Sequence, residues 1–142
     1  DKNIQLNLRT EIPNFIVMEQ MPKNVNLINK HISNSELEKY YNEADLVIIP
    51  SVDEGFGMVG QEAMCLKKPV LITRNVGMKD ILIKYLNNAE EYIIEPGNIN
   101  QLTKKIYDFS ENKESLKNEG DLFYEASKKY LDKDIFKGYM NL

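Results

Sequence analysis

Two unbroken apolar runs constrain this chain more than any other feature in it. Leu46-Val47-Ile48-Ile49 is stopped by Pro50, and Val70-Leu71-Ile72 follows Pro69. A strand with one wet face alternates apolar and polar residues, so a run without polar interruption predicts a strand buried on both faces. Such strands belong to parallel sheets sandwiched between helices. Parallel neighbours cannot be joined by a tight turn, and the crossover between them is normally a helix. Met58 to Leu66, lying between the two runs, reads as that helix.

The rest of the chain follows the same rhythm. Ile4 to Leu8 alternates apolar and polar, which predicts a strand. Pro13 to Met21 fits either a short helix or a strand. Val25 to Ile28 reads as a strand. Ser33-Asn34-Ser35-Glu36 has the form of a capping box, in which the serine oxygen accepts from the Glu36 N–H while the glutamate reaches back. Leu37, Tyr40, Tyr41 and Ala44 then fall at helical spacing, predicting an amphipathic helix over 34–44. Residues 78–86 read as helix and Tyr92 to Ile94 as a short strand. Asn98 can cap a helix running to about Phe109. Two polar helices, 112–130 and 132–140, close the chain. Strand and helix in alternation, with short connections, predict an α/β fold with a doubly wound parallel sheet in a single domain over 1–142. No repeat or low-complexity tract interrupts it.

Length and charge narrow the function. The chain has 142 residues, room for one ordinary domain, and 42% are hydrophobic. Its net charge of −4 argues against nucleic acid, whose phosphates require clustered Lys and Arg. A nucleotide needs only a local site. The one cysteine, Cys65, allows no intrachain disulfide and fits a reducing compartment; its apolar neighbours predict a buried structural thiol. No run approaches the ~18 apolar residues of a membrane span. The chain opens on Asp1 and enters a strand-like run almost at once, which predicts a piece of a longer protein.

Ligands of open parallel sheets bind beyond the carboxyl ends of the strands. The loop after Ile49 is therefore a candidate site on topology alone. It reads Pro50-Ser51-Val52-Asp53-Glu54-Gly55-Phe56-Gly57 and runs directly into a helix. Glycines permit a sharp turn and close approach of a ligand. A helix start offers unpaired N–H groups and partial positive charge to a phosphate or diphosphate. Glu62, about one turn into the helix, could accept two hydrogen bonds from a vicinal diol such as ribose. Glu54 could do the same for sugar hydroxyls. Each residue also has a plainer use: Glu62 favours the helix dipole, Glu54 can be a solvated loop acid, and Phe56 reads as a packing anchor. Arg74 follows a buried strand at the sheet's carboxyl edge, within reach of a phosphate. The tyrosines fall at core spacing.

Ser51-Val52-Asp53-Glu54-Gly55-Phe56-Gly57, then Glu62-Ala63-Met64, then Lys68-Pro69-Val70, resembles the C-terminal, donor-binding domain of the GT-B-fold retaining glycosyltransferases of the large family-4 type. Seven residues separate Glu54 from Glu62, the spacing of that family's Glu-x7-Glu motif. Tyr40 to Asp45, Asn75 to Ile81 and Ile94 to Asn98 resemble its flanking segments. The resemblance covers residues 25–110. It implies a Rossmann-like half of a GT-B fold that binds a UDP-, GDP- or ADP-sugar. By it, Glu62 would hold the ribose hydroxyls, and Glu54 would contact the donor sugar as the candidate catalytic residue. Gly55, Phe56, Gly57, Met58 and Val59 would face sugar and diphosphate. The turn at Lys30, His31 and Ile32 would lie against the base. It implies no metal cofactor, since helix dipole and basic residues do a cation's work. The partners it implies are the nucleotide-sugar donor and an N-terminal acceptor-binding domain, with no nucleic acid. It implies a cytoplasmic enzyme building polysaccharide or glycolipid, able to associate peripherally with the inner face of a membrane. The last ~30 residues would include a helix that in the family crosses back to the other domain.

The chain departs from that pattern in three places. The family's Arg and Lys pair after the first strand is missing; Arg9 stands alone. The Gly-Asp-Gly often found near that strand is missing too, as is the acceptor domain. Alone, the chain is expected to bind donor weakly and transfer nothing. Other classes fit less well. A glycoside hydrolase places its carboxylates on opposing walls of a cleft, whereas Glu54 and Glu62 flank one helix start. Gly55, Gly57 and Gly60 match the dinucleotide-binding spacing, but they follow a middle strand and no acid ends a strand about 20 residues later. A receiver-like domain needs clustered aspartates, and only Asp45 and Asp53 are near. A non-catalytic scaffold of transferase descent keeps the same motif.

Overall fold

A computed structural model describes residues 4–9, 21–28, 30 and 32–131. The chain divides into two compact units, residues 1–40 and 41–142. In the first, strands β1 (Leu6–Arg9) and β2 (Val25–Ile28) pair in parallel, with Leu6 opposite Val25 and Arg9 opposite Ile28. β1 begins two residues later than the alternation predicted, where Leu6 N–H reaches the Asn24 carbonyl at 2.9 Å. Asn7 and Asn26 are register partners, and their side chains hydrogen-bond at 2.9 Å. The Pro13 to Met21 stretch lies outside the described residues as far as residue 20.

The capping box forms as its residues dictate. Glu36 N–H donates to Ser33 Oγ at 3.3 Å, and Ser33 N–H donates to Glu36 Oε2 at 3.0 Å. The bond from Ser33 N–H, then one from Ser33 Oγ at 3.1 Å, holds the Glu36 carboxyl below its ordinary range. Helix α1 (Asn34–Glu43) starts there, and its last turn, from Tyr41, belongs to the second unit.

The second unit is an α/β layer. Its strands β3 (Val47–Ile49), β4 (Val70–Thr73) and β5 (Ile93–Ile94) lie in the order β3-β4-β5, all parallel. Helices α2 (Met58–Cys65) and α3 (Lys79–Tyr85) make the two crossovers, and a 3₁₀ turn over Ala89–Tyr92 leads into β5. The central strand β4 is buried at all four residues. β3, an edge of this sheet, is half-buried at Val47 and Ile48 and buried only at Ile49, less than its unbroken apolar run predicted. Asn98 caps α4 (Ile99–Glu111), accepting from Gln101 N–H at 3.0 Å.

Helix α5 (Lys113–Tyr130) packs on α2 and α3 of its own unit. The fit is close. A Cβ on Gly120 would lie 2.2 Å from the Lys67 carbonyl oxygen, so only glycine lets α5 meet the turn after α2. Tyr92 joins three elements. Its ring stacks on Phe109 of α4 at 5.2 Å and meets Phe123 of α5 edge-on at 4.8 Å. Each such pair contributes about 0.5–1.5 kcal/mol beyond area burial. The Tyr92 hydroxyl donates to Glu119, and burial, reinforced by that carboxylate, pushes the phenol far above its ordinary value. The predicted helix over 132–140 lies outside the described residues.

Cys65 corrects one expectation: it is exposed, not buried. At 100° per residue, Gly60, Gln61, Ala63 and Met64 take the inward side of α2. Met58, Glu62 and Cys65 share the outward face. The thiol sits 3.1 Å from Ser127 Oγ at the α2–α5 seam.

Candidate functional site

The loop after β3 is built to deliver a helix start at the sheet's carboxyl edge. Gly57 is the N-terminal cap residue of α2, with φ 92°, a left-handed conformation that glycine adopts without strain. A Cβ there would also fall 2.6 Å from Val76 Cγ1. Helix geometry leaves the N–H groups of Met58 and Val59 without intrahelical acceptors. These two residues are 61% and 41% exposed, so this helix start faces outward.

A second loop holds the first in place. Thr73 Oγ1 donates to the Ser51 carbonyl, and Asn75 Nδ2 donates to the Val52 carbonyl at 2.9 Å. Gly77 N–H reaches the Gly55 carbonyl at 3.1 Å, and Met78 N–H reaches the Phe56 carbonyl at 2.8 Å. Glu54 and Val76 form an isolated parallel bridge. A Cβ on Gly77 would stand 2.1 Å from the Gly55 oxygen, so the contact requires glycine. The turn that follows β4 thus latches the loop that follows β3. Phe56 stacks on Tyr130 at 5.7 Å, fixing the loop's other side to the end of α5, as a packing anchor should.

The two glutamates stand on either side of the helix start. Glu54 is half-buried and accepts from Ser51 Oγ at 2.8 Å. Glu62 is exposed on the outward face of α2 and accepts from Tyr41 Oη at 2.8 Å. An ionised carboxylate offers about four lone-pair sites, so each retains acceptor capacity for hydroxyls. Gly55 is different from its neighbours. Its φ is not positive, and a Cβ there would meet nothing within 4 Å. The space beside its backbone is open to a ligand.

Not every candidate joins this group. Arg74 is engaged elsewhere: its Nε lies 2.7 Å from Glu95 and its Nη2 2.8 Å from Glu90. Glu90, then Glu95, holds the guanidinium firmly charged, and Arg74 in turn keeps the Glu90 carboxyl below its usual range. In the first unit, Lys30 is exposed and pairs with Glu36 at 3.4 Å, and Ile32 is buried. His31 lies outside the described residues. The geometry adds Tyr41, Ser51, Thr73 and Asn75 to the site's support. Ser51 stands in the motif; nothing in the spacing of the others marks them, because their partners are distant in sequence.

Comparisons with known proteins place the whole of this loop-to-helix segment within one family. The family described as glycosyl transferases group 1 matches residues 14–126. The chain belongs to that family. It is 33% identical over 123 residues to an uncharacterized glycosyltransferase of Methanocaldococcus jannaschii, covering 87% of this chain and 34% of that relative. It is 34% identical over 92 residues to the capsular polysaccharide biosynthesis glycosyltransferase CapM of Staphylococcus aureus, covering 65% of this chain and 22% of the relative. A sulfoquinovosyl transferase of Arabidopsis thaliana is 26% identical over 99 residues, covering 70% and 19%. The chain thus spans about a third or less of these relatives' lengths. Two of the three are named glycosyltransferases and the third a sulfoquinovosyl transferase, and the group 1 match takes in both the 50–57 loop and its latch at 73–78. No helix among the described residues is long and apolar enough to cross a membrane.

Proposed function

We propose that the second unit binds a nucleoside-diphosphate sugar along the ridge from Glu54 to Glu62. The helix start at Gly57–Val59 receives the diphosphate, Glu62 accepts from the ribose hydroxyls, and Glu54 contacts the sugar beside the reacting carbon. Joined to an N-terminal acceptor domain, the protein transfers the glycosyl group with retention of configuration and without a metal. The acceptor is a growing surface polysaccharide or glycolipid, and the work is done in the cytoplasm, at the membrane's inner face where the acceptor is lipid-borne. CapM's name, in capsular polysaccharide biosynthesis, supports the acceptor class.

One observation carries the reading. Two carboxylates flank an outward-facing helix start whose approach loop has open space at Gly55. Anions are favoured at helix starts, and carboxylates one turn away suit the hydroxyls that a nucleotide sugar carries beside its phosphates. The test is titration of UDP, GDP, ADP and their sugars into the chain, with Glu62→Ala alongside. One nucleotide should bind, and the substitution should weaken it about tenfold or more, the cost of losing hydrogen bonds to a charged group. No binding at millimolar concentration, or equal affinity for the variant, would refute the assignment.

A further inference from the structure

We infer that Tyr41 is a positioning residue for the donor nucleotide, holding Glu62 in the rotamer that reads ribose. The inference rests on the donor-binding function proposed above and deepens it. Tyr41 lies on the last turn of α1 and is 7% exposed. Its Oη is 2.8 Å from Glu62 Oε2 and 3.4 Å from the Val59 carbonyl. A phenol has one proton to donate, and the shorter distance assigns it to the carboxylate.

The two partners differ in freedom. Glu62 is exposed, and a long acidic side chain in water samples several rotamers that binding must suppress. Tyr41 is buried, with its ring held by packing, so its hydroxyl is a fixed point. A hydrogen bond from it to an ionised carboxylate is of the stronger, charge-assisted kind. It anchors Oε2 before a ligand arrives and leaves Oε1, with the remaining lone pair of Oε2, to accept from two adjacent hydroxyls. Ordering the receptor beforehand removes part of the entropic cost of binding. The second contact, toward Val59, places the same hydroxyl beside the backbone of the helix start. Tyr41 therefore ties the ribose-reading group to the diphosphate-binding turn.

The test compares the unsubstituted chain, Y41F, E62A and the double variant. UDP, GDP and ADP, each beside its 2′-deoxy counterpart, are titrated into all four. E62A should weaken the ribonucleotide. Y41F, which leaves the carboxylate in place, should weaken it less, about five- to tenfold, the scale of one ordinary hydrogen bond, and should lower the preference for ribo- over deoxyribonucleotide. That preference is a ratio measured in one sample, so it does not depend on the folded fraction. The double variant should bind no more weakly than E62A. An unchanged ratio in Y41F, or the same loss from Y41F in the E62A background, would overturn the role of Tyr41 while leaving the donor site standing. Equal binding by E62A and the unsubstituted chain would sink both readings.

Discussion

Four glycines stand in or beside the motif, and their surroundings give them different tasks. Gly57 needs its positive φ, and Gly77 needs the space in which the Gly55 oxygen sits. Gly60 clears a path for Met78 and for Ile49 Cδ1, 2.9 Å from where its Cβ would be. Gly55 alone has neither a positive φ nor a close neighbour. Gly57→Ala should therefore cost about 1–3 kcal/mol in chemical denaturation. Gly55→Ala should leave stability within about 0.5 kcal/mol and weaken nucleotide binding. A Gly55→Ala chain that loses stability as Gly57→Ala does would show that the open space serves folding instead. The sequence displays all four glycines equally. Which of them has open space beside it depends on neighbours more than 10 positions away, and no local pattern encodes that. The placement of Glu54 and Glu62 about the helix start was legible because it is local. Tyr41 was not: its helical spacing with Leu37 and Ala44 accounts for its ring, and the partner of its hydroxyl comes from the next crossover.

At the level of elements, sequence and structure agree where one physical cause acts over a short range. The capping box starts α1, Asn98 starts α4, and the apolar run of β4 is buried throughout. They part where tertiary packing decides. Cys65 lies in an apolar stretch but falls on the outward phase of an eight-residue helix. The same logic engages Arg74 away from the 50–57 loop. It clamps the β4 exit to the segment around β5 through Glu90 and Glu95, both exposed. Glu90 titrates lower in the fold than in the unfolded chain, so its contribution is present above the unfolded carboxylate range and fades as pH falls through the folded value. Glu90→Gln should accordingly be mildly destabilising at neutral pH and indistinguishable from the unsubstituted chain near pH 3 or in ~1 M salt, where exposed pairs are screened. Thermal melts across pH check this; a difference that persists in acid would assign the effect to packing.

For the whole molecule, the alternation of strands and helices carries the class of fold, because parallel pairing, crossover helices and buried strands imply one another. It leaves the path of α5 open, since a polar helix at a chain's end shows an apolar stripe without showing what the stripe meets. Here the stripe meets α2 and α3, with Phe123 fully buried. The proposed chemistry is tested on the longest natural form that carries an acceptor domain. Transfer should proceed at an unchanged rate in excess EDTA, and nuclear magnetic resonance of the first-formed product should show the anomer of the donor. Loss of activity that a divalent cation restores, or the opposite anomer, would refute the metal-free retaining mechanism.

The latch between the two loops bears on how donor preference could be exchanged among relatives. Ser51 to Gly57 is a short, recognisable cassette, an inviting unit to transplant. Four of its backbone carbonyls are held by Thr73, Asn75, Gly77 and Met78. A graft of the first loop alone would leave its fasteners behind in the protein it came from, and a mismatched fastener would tilt the helix start that we propose grips the diphosphate. The inheritable module is the pair of loops, and a chimaera is best cut after β4's following turn, beyond Met78.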